Sequence, residues 1–223
     1  MVRVLFLGII QVLGIEFKVH GSNHRGGGFF VEKIMEGVAF TVLKKDLRGM
    51  FDGLYGGNQH LSSKLMAKTG CGSVTLHNVV TYTEGRSYVR EELIKAQNEM
   101  FRKYLLGPTT ALRFKLAALW YYGRQKKKVK VKIIHSFAGG LFGLRRMMME
   151  IKKAIDNEMP VPLIVGLKLK KGYRDGLYSH WVTVTGYGEH FKVLVSNNGK
   201  EEVLDLKALS ERRVFIAVAA MAL

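Results

Sequence analysis

The sequence predicts an α+β fold, and three observations carry that expectation. Apolar residues recur at helical spacing through the middle of the chain, roughly residues 58–128. From Pro160 onward the texture changes to short runs that alternate apolar and polar residues, the period of a strand. The two textures are segregated rather than interleaved, which favours helices packed on an antiparallel sheet. With 223 residues, 48% of them hydrophobic, the chain can bury a sizeable core, and its three prolines leave no tract that reads as a disordered linker.

The elements follow in order. Residues 1–57 form an N-terminal segment opening on "MVRVLFLGIIQVLGIEF". Gln11 and Glu16 interrupt this run, which is too short to span a membrane; it is expected to be a buried first strand, with a weak signal peptide as the alternative. "GSNHRGGGFF" reads as a turn, and Phe29–Gly57 as short helices broken by glycine. From Tyr88 to Leu106 the chain is a strong amphipathic helix, acidic near its start and basic near its end, as the helix dipole favours. Pro108 stops that helix, and "TTALRFKLAALWYY" begins the next.

Residues 129–223 read as mostly β with one helix. "VKVKIIHS" alternates as a strand, and "GGLFGLRRMMMEIKKAIDN" is a glycine turn leading into the helix. Those glycines lack the Gly-Lys-Ser/Thr of a phosphate loop. Then come "VPLIVGLKLKK", the loop "GYRDGLYS", two alternating runs in "HWVTVTGYGEHFKVLVSNNGKEEVLDL", and "RRVFIAVAA" to close the sheet. A two-residue turn at Gly188-Glu189, glycine first, would set His180 directly opposite Asn197 on one sheet face.

The formal net charge is +17. Such an excess attracts nucleic acid, an anionic surface or an acidic substrate. Its densest block, "RQKKKVKVK" (Arg124–Lys132), is expected to be a solvated edge strand or loop lying outside any catalytic cleft. The single cysteine excludes an intramolecular disulfide and a multi-cysteine zinc site, and it fits a reducing, cytoplasmic setting better than a secreted one. His20 and His24 have helical spacing, but the glycines around them argue against a metal-binding face. No metal or cofactor is expected.

The one cysteine stands in "TGCGSVTLHNVV", between Gly70 and Gly72. Valine and threonine there favour a strand, whereas Leu76, Val79, Val80 and Thr83 follow helical spacing, so Cys71 is expected at a helix N-terminus. Backbone N–H groups at such a terminus can stabilise a thiolate. A histidine facing a carboxamide is also what orienting a general base requires: the amide oxygen accepts from one ring nitrogen and aims the other at a nucleophile. An ion-paired Cys71 would hold its thiolate well below the ordinary thiol range, and a buried core cysteine would be pushed above it.

"GCGSVTLHNVV", "PVPLIVGL", "HWVTVTGY" and "KVLVSNNGKEEVLDLKAL" together resemble papain-like cysteine peptidases, specifically the bacteriocin-processing peptidases that cut double-glycine leaders. The likeness runs from about Asn58 to Leu209 and keeps the family's chain order of Cys, His and Asp or Asn. It implies Cys71 as nucleophile, His180 as general base and acid, Asn197 as the orienting residue, and a helical part carrying the cysteine packed on a C-terminal antiparallel sheet. The family's oxyanion-hole glutamine would correspond to Gln59, farther upstream of the cysteine than is usual. Ser73 stands where proline is common, and Asn197 where many relatives have Asp. The expected function is a cysteine-dependent hydrolase acting on a peptide or protein. The alternatives are a papain-like acyltransferase or deamidase, and a basic nucleic-acid or anionic-surface binding protein with an inactive triad.

Overall fold

A computed structural model describes residues 17–20, 30–35, 37–136, 140–168, 180–211 and 214–223. The segregated pattern yields an α+β architecture whose strands join in one antiparallel sheet. In chain order these are β1 (Phe17–His20), β2 (Phe30–Met35), β3 (Val38–Val42), β4 (Lys130–Ser136), β5 (Val161–Lys168), β6 (His180–Gly188), β7 (Lys192–Asn197), β8 (Lys200–Asp205) and β9 (Val214–Ala222). The sheet runs β1-β2-β3-β6-β5-β9-β4, with β7 on β6 and β8 on β7. The helices are α1 (Lys64–Thr69), α2 (Cys71–Glu84), α3 (Arg90–Tyr104), α4 (Ala111–Arg124), α5 (Leu141–Asp156) and α6 (Leu206–Glu211).

Three expectations need correction. The short helices read into Phe29–Gly57 give way, over residues 30–42, to the β2–β3 hairpin, turned at Gly37 with φ 72°. A short apolar run carries no period of its own, and here β6 supplies the deciding partner by pairing Gly186–Gly188 with Phe40–Val42. The C-terminal part holds two helices, because Leu206–Glu211 forms α6 beside α5. The third correction concerns the β6–β7 connection, a three-residue loop of Glu189, His190 and Phe191 rather than a two-residue turn. His190 and Phe191 both have positive φ. Gly188 is still strand, and a Cβ there would meet the Ala39 carbonyl at 3.0 Å.

The loop and a bulge between Val184 and Gly186 together shift the β6–β7 register by two residues, so that Thr183 faces Ser196. A two-residue shift leaves every side chain on its original face, since faces alternate with period two. His180 and Asn197 are therefore diagonal neighbours on one face rather than directly opposed. The opening strand and the "GYRDGLYS" loop lie outside the described residues, save that Phe17 begins β1.

Helix α2 is the centre of the core. Every residue from Gly72 to Tyr82 is buried, and the helix packs against β5, β6, α3 and α4. A helix covered on all sides has no polar stripe, which explains why its sequence is balanced between helix and strand signals. The β-branched residues that weaken its propensity are the ones it packs.

The lysine run is exposed as expected, with Lys126, Lys127, Lys128, Lys130 and Lys132 all facing solvent. Successive registers place Ser136 of β4 level with His180: His180 pairs with Val165, Val165 with Ile216, and Ile216 with Ser136. Lys130 and Lys132 thus sit towards the opposite end of that edge strand, which β5 and β9 separate from β6.

Candidate active site

The site is assembled where the start of α2 meets the starts of β6 and β8 and the end of β7. Gly70 joins α1 to α2, and Cys71 is the first residue of the 14-residue helix α2. Gly72 is required by a close approach: a Cβ there would lie 2.6 Å from that of Thr109. Thr109 in turn accepts the Trp181 indole N–H on its carbonyl at 2.8 Å, and Phe114 stacks on the Trp181 ring at 4.4 Å. Trp181 thereby fixes the first residues of β6 against the start of α2.

Burial pushes the Cys71 thiol up, and the backbone N–H groups of Trp181, Gly72 and Cys71 itself pull it partly back. The helix start does supply donors to the sulfur, but desolvation outweighs them. The contact with the Trp181 N–H sets the thiol beside the residue that follows His180. Burial lowers His180, and its hydrogen bond to Asn197 opposes the shift. Both shifts favour uncharged forms, so Cys71 rests as a thiol and His180 as an imidazole, each neutral.

His180 Nε2 lies 2.8 Å from Asn197 Oδ1, and Asn197 Nδ2 donates to Glu202 Oε2 at 2.9 Å. These two bonds decide the proton positions. A carboxylate only accepts, so the amide nitrogen must face Glu202 and the amide oxygen must face the histidine. His180 Nε2 is then the donor, and in the neutral ring the lone pair belongs to Nδ1. Glu202 was not legible as a site residue, although its position two residues along β8 from Lys200, the residue paired with Asn197, is a diagonal the hairpin implies. Its neighbour Glu201 points to the other face and binds Lys33 and Arg48.

Asn78 was also missed. It lies two turns into α2 from Cys71, where its Oδ1 accepts the Gly57 N–H at 2.8 Å and its Nδ2 donates to Thr183 Oγ1 at 3.0 Å and Ser196 Oγ at 3.4 Å. One side chain thus locks the cysteine helix to the strands of His180 and Asn197. A buried asparagine so fully bonded is costly to replace, because each partner would be left unpaired. Polar residues inside an otherwise apolar helix were the signal available for it.

Gln59 sits in a 3₁₀ turn, Gln59–Leu61, capped by Asn58. It is buried and gives Nε2 to the Ala67 carbonyl at 3.0 Å, while its Oε1 has no partner. Helix α1 lies between it and Cys71, which accounts for the long spacing. His60 in the same turn is close enough that its charge opposes protonation of His180, so this turn borders the site. No group of three or more His, Cys, Asp or Glu among the described residues could hold a metal ion.

No protein-family model matches this chain, and no curated protein does.

Proposed function

We propose that the protein is a thiol hydrolase, a cysteine peptidase of papain-like fold, working through Cys71, His180 and Asn197. One observation carries this reading: an imidazole whose Nε2 is tied to Asn197 keeps its Nδ1 lone pair for a proton, and the chain's one thiol rests on the N–H of the adjacent residue. Cys71 Sγ attacks the substrate carbonyl carbon as its proton passes to His180 Nδ1. The oxyanion takes the Cys71 backbone N–H and the second N–H of Gln59. The imidazolium then protonates the departing amine and leaves an acyl-thioester. Water attacks that ester, His180 accepts its proton, and the acid is released with the thiol restored. A deamidase would follow the same steps with ammonia leaving.

Iodoacetamide labelling from pH 5 to 9 tests the base. Because the resting thiol is neutral, labelling should climb with pH, and His180→Ala should slow it about tenfold near pH 7.5. Identical labelling in both proteins across the range would remove the hydrolase reading. Peptide cleavage assayed beside ammonia release separates peptidase from deamidase.

Glu202 serves here as a positioning residue acting through Asn197. Glu202→Gln lets the Asn197 amide flip and should lower turnover about tenfold. The same change removes a charge that favours protonated His180, so the acid limb of kcat/KM should move to lower pH. An unmoved limb would reduce Glu202 to a packing role.

A further inference from the structure

The outward face of α4 is apolar where a surface helix should be polar. Leu112, Leu116, Leu119 and Trp120 stand at the i, i+4, i+7 and i+8 positions of one stripe, and they are 65%, 57%, 36% and 51% exposed. The opposite stripe, with Phe114, Ala118 and Tyr122, is the one that enters the core. At 100° per residue, Lys115 falls along one border of the exposed stripe and Arg113 and Arg124 along the other. No acidic residue occurs anywhere in Ala111–Arg124, and the chain leaves the helix directly into Lys126–Lys128. A helix apolar on two opposite faces, with cations lining the outer one, has a second surface to cover.

We propose that this face docks on an anionic lipid bilayer, with α4 lying in the interface plane. The leucines would enter the boundary of headgroup and acyl chain, Trp120 would sit at headgroup depth, and the flanking cations would meet lipid phosphates. Charge decides among the occupants. A nucleic acid would satisfy the cations and leave four large apolar side chains in water. A second copy placed face to face would bring the same cationic borders together. A bilayer with acidic headgroups satisfies both at once. Among the described residues no helix is long and apolar enough to cross a membrane. None of these side chains belongs to the Cys71 site, and the inference is independent of the hydrolase reading.

Co-sedimentation with phosphatidylcholine vesicles, with and without about 30% phosphatidylserine, provides the test on the full chain at ~0.1 M salt. Binding to the acidic vesicles is expected at least tenfold above the neutral ones, with a blue shift of Trp120 emission. Leu112→Ser/Leu116→Ser keeps every charge and should lose at least tenfold in binding. Lys115→Gln/Arg124→Gln, which leaves in place the Arg113 guanidinium that donates to the Pro108 and Leu106 carbonyls, should lose a comparable factor. Circular dichroism checks that these surface changes leave the fold intact. Three results overturn the proposal: no binding to acidic vesicles, a leucine variant that binds like the parent (adsorption by net charge alone), or leucine-dependent self-association in light scattering.

Discussion

Cys71→Ala is expected to abolish turnover, with a loss of about 10⁴-fold or more, while melting temperature changes by only a few degrees. His180→Ala should cost nearly as much, since a thiol pushed up by burial cannot attack unless its proton is taken. The informative measurement is the double variant. Groups that act as one unit lose their contribution together, so Cys71→Ala/His180→Ala should be no slower than the worse of the two single changes. Asn197→Ala removes only the orientation of a ring that still exists, so its loss should be smaller, and adding Glu202→Gln to Asn197→Ala should cost nothing further because Glu202 acts through the Asn197 amide. Steady-state kinetics on one peptide substrate give all these numbers. Additive losses in the double variant would mean that thiol and imidazole serve separate purposes. Residual activity of Cys71→Ala at parental level would end the hydrolase reading.

The second large effect is on stability in acid. His77 is fully buried in α2 between Phe51 and Tyr88, and neither ring nitrogen has a hydrogen-bond partner. Burial, with the nearby Arg86 charge adding to it, lowers its pKa from 6.5 to about 3. The sign follows from linkage. Below pH 6.5 the unfolded chain binds a proton that the folded chain refuses until about pH 3, so stability is full above pH 6.5 and falls as pH drops through that window. The loss is on the order of 5 kcal/mol across the window. His180 is lowered as well and adds to the fall in the same direction. Urea unfolding at pH 7, 5.5 and 4 measures the slope. His77→Leu, which fills the space without a nitrogen to protonate, should remove about one proton's worth of it, and a variant that keeps the full slope would refute the assignment.

Much of this protein is legible without a structure. The periods alone locate the α3 and α4 helices, because each buries one face and exposes the other. The strands after Pro160 are legible as short apolar runs bounded by turn residues, β5, β6 and β7 being buried on both faces over most of their length. The chain order of thiol, imidazole and carboxamide is local chemistry, and so is the helix that begins at Cys71. Even a misread turn left His180 and Asn197 on one face, since the loop moves the register by three residues and the bulge takes one back, an even net shift in a period of two.

Tertiary structure decided the rest, wherever the partner that settles an element lies far along the chain. Residues 30–35 and 38–42 are strands because β6, almost 150 residues later, offers them an edge. Glu202 joins the site only through the β7–β8 register, and Asn78 only because α2 crosses the sheet at Thr183 and Ser196. The protonation of Cys71 and His180 was likewise beyond the sequence. A helix start and a neighbouring base favour charge, burial opposes it, and burial is a property of the whole fold that no local pattern records.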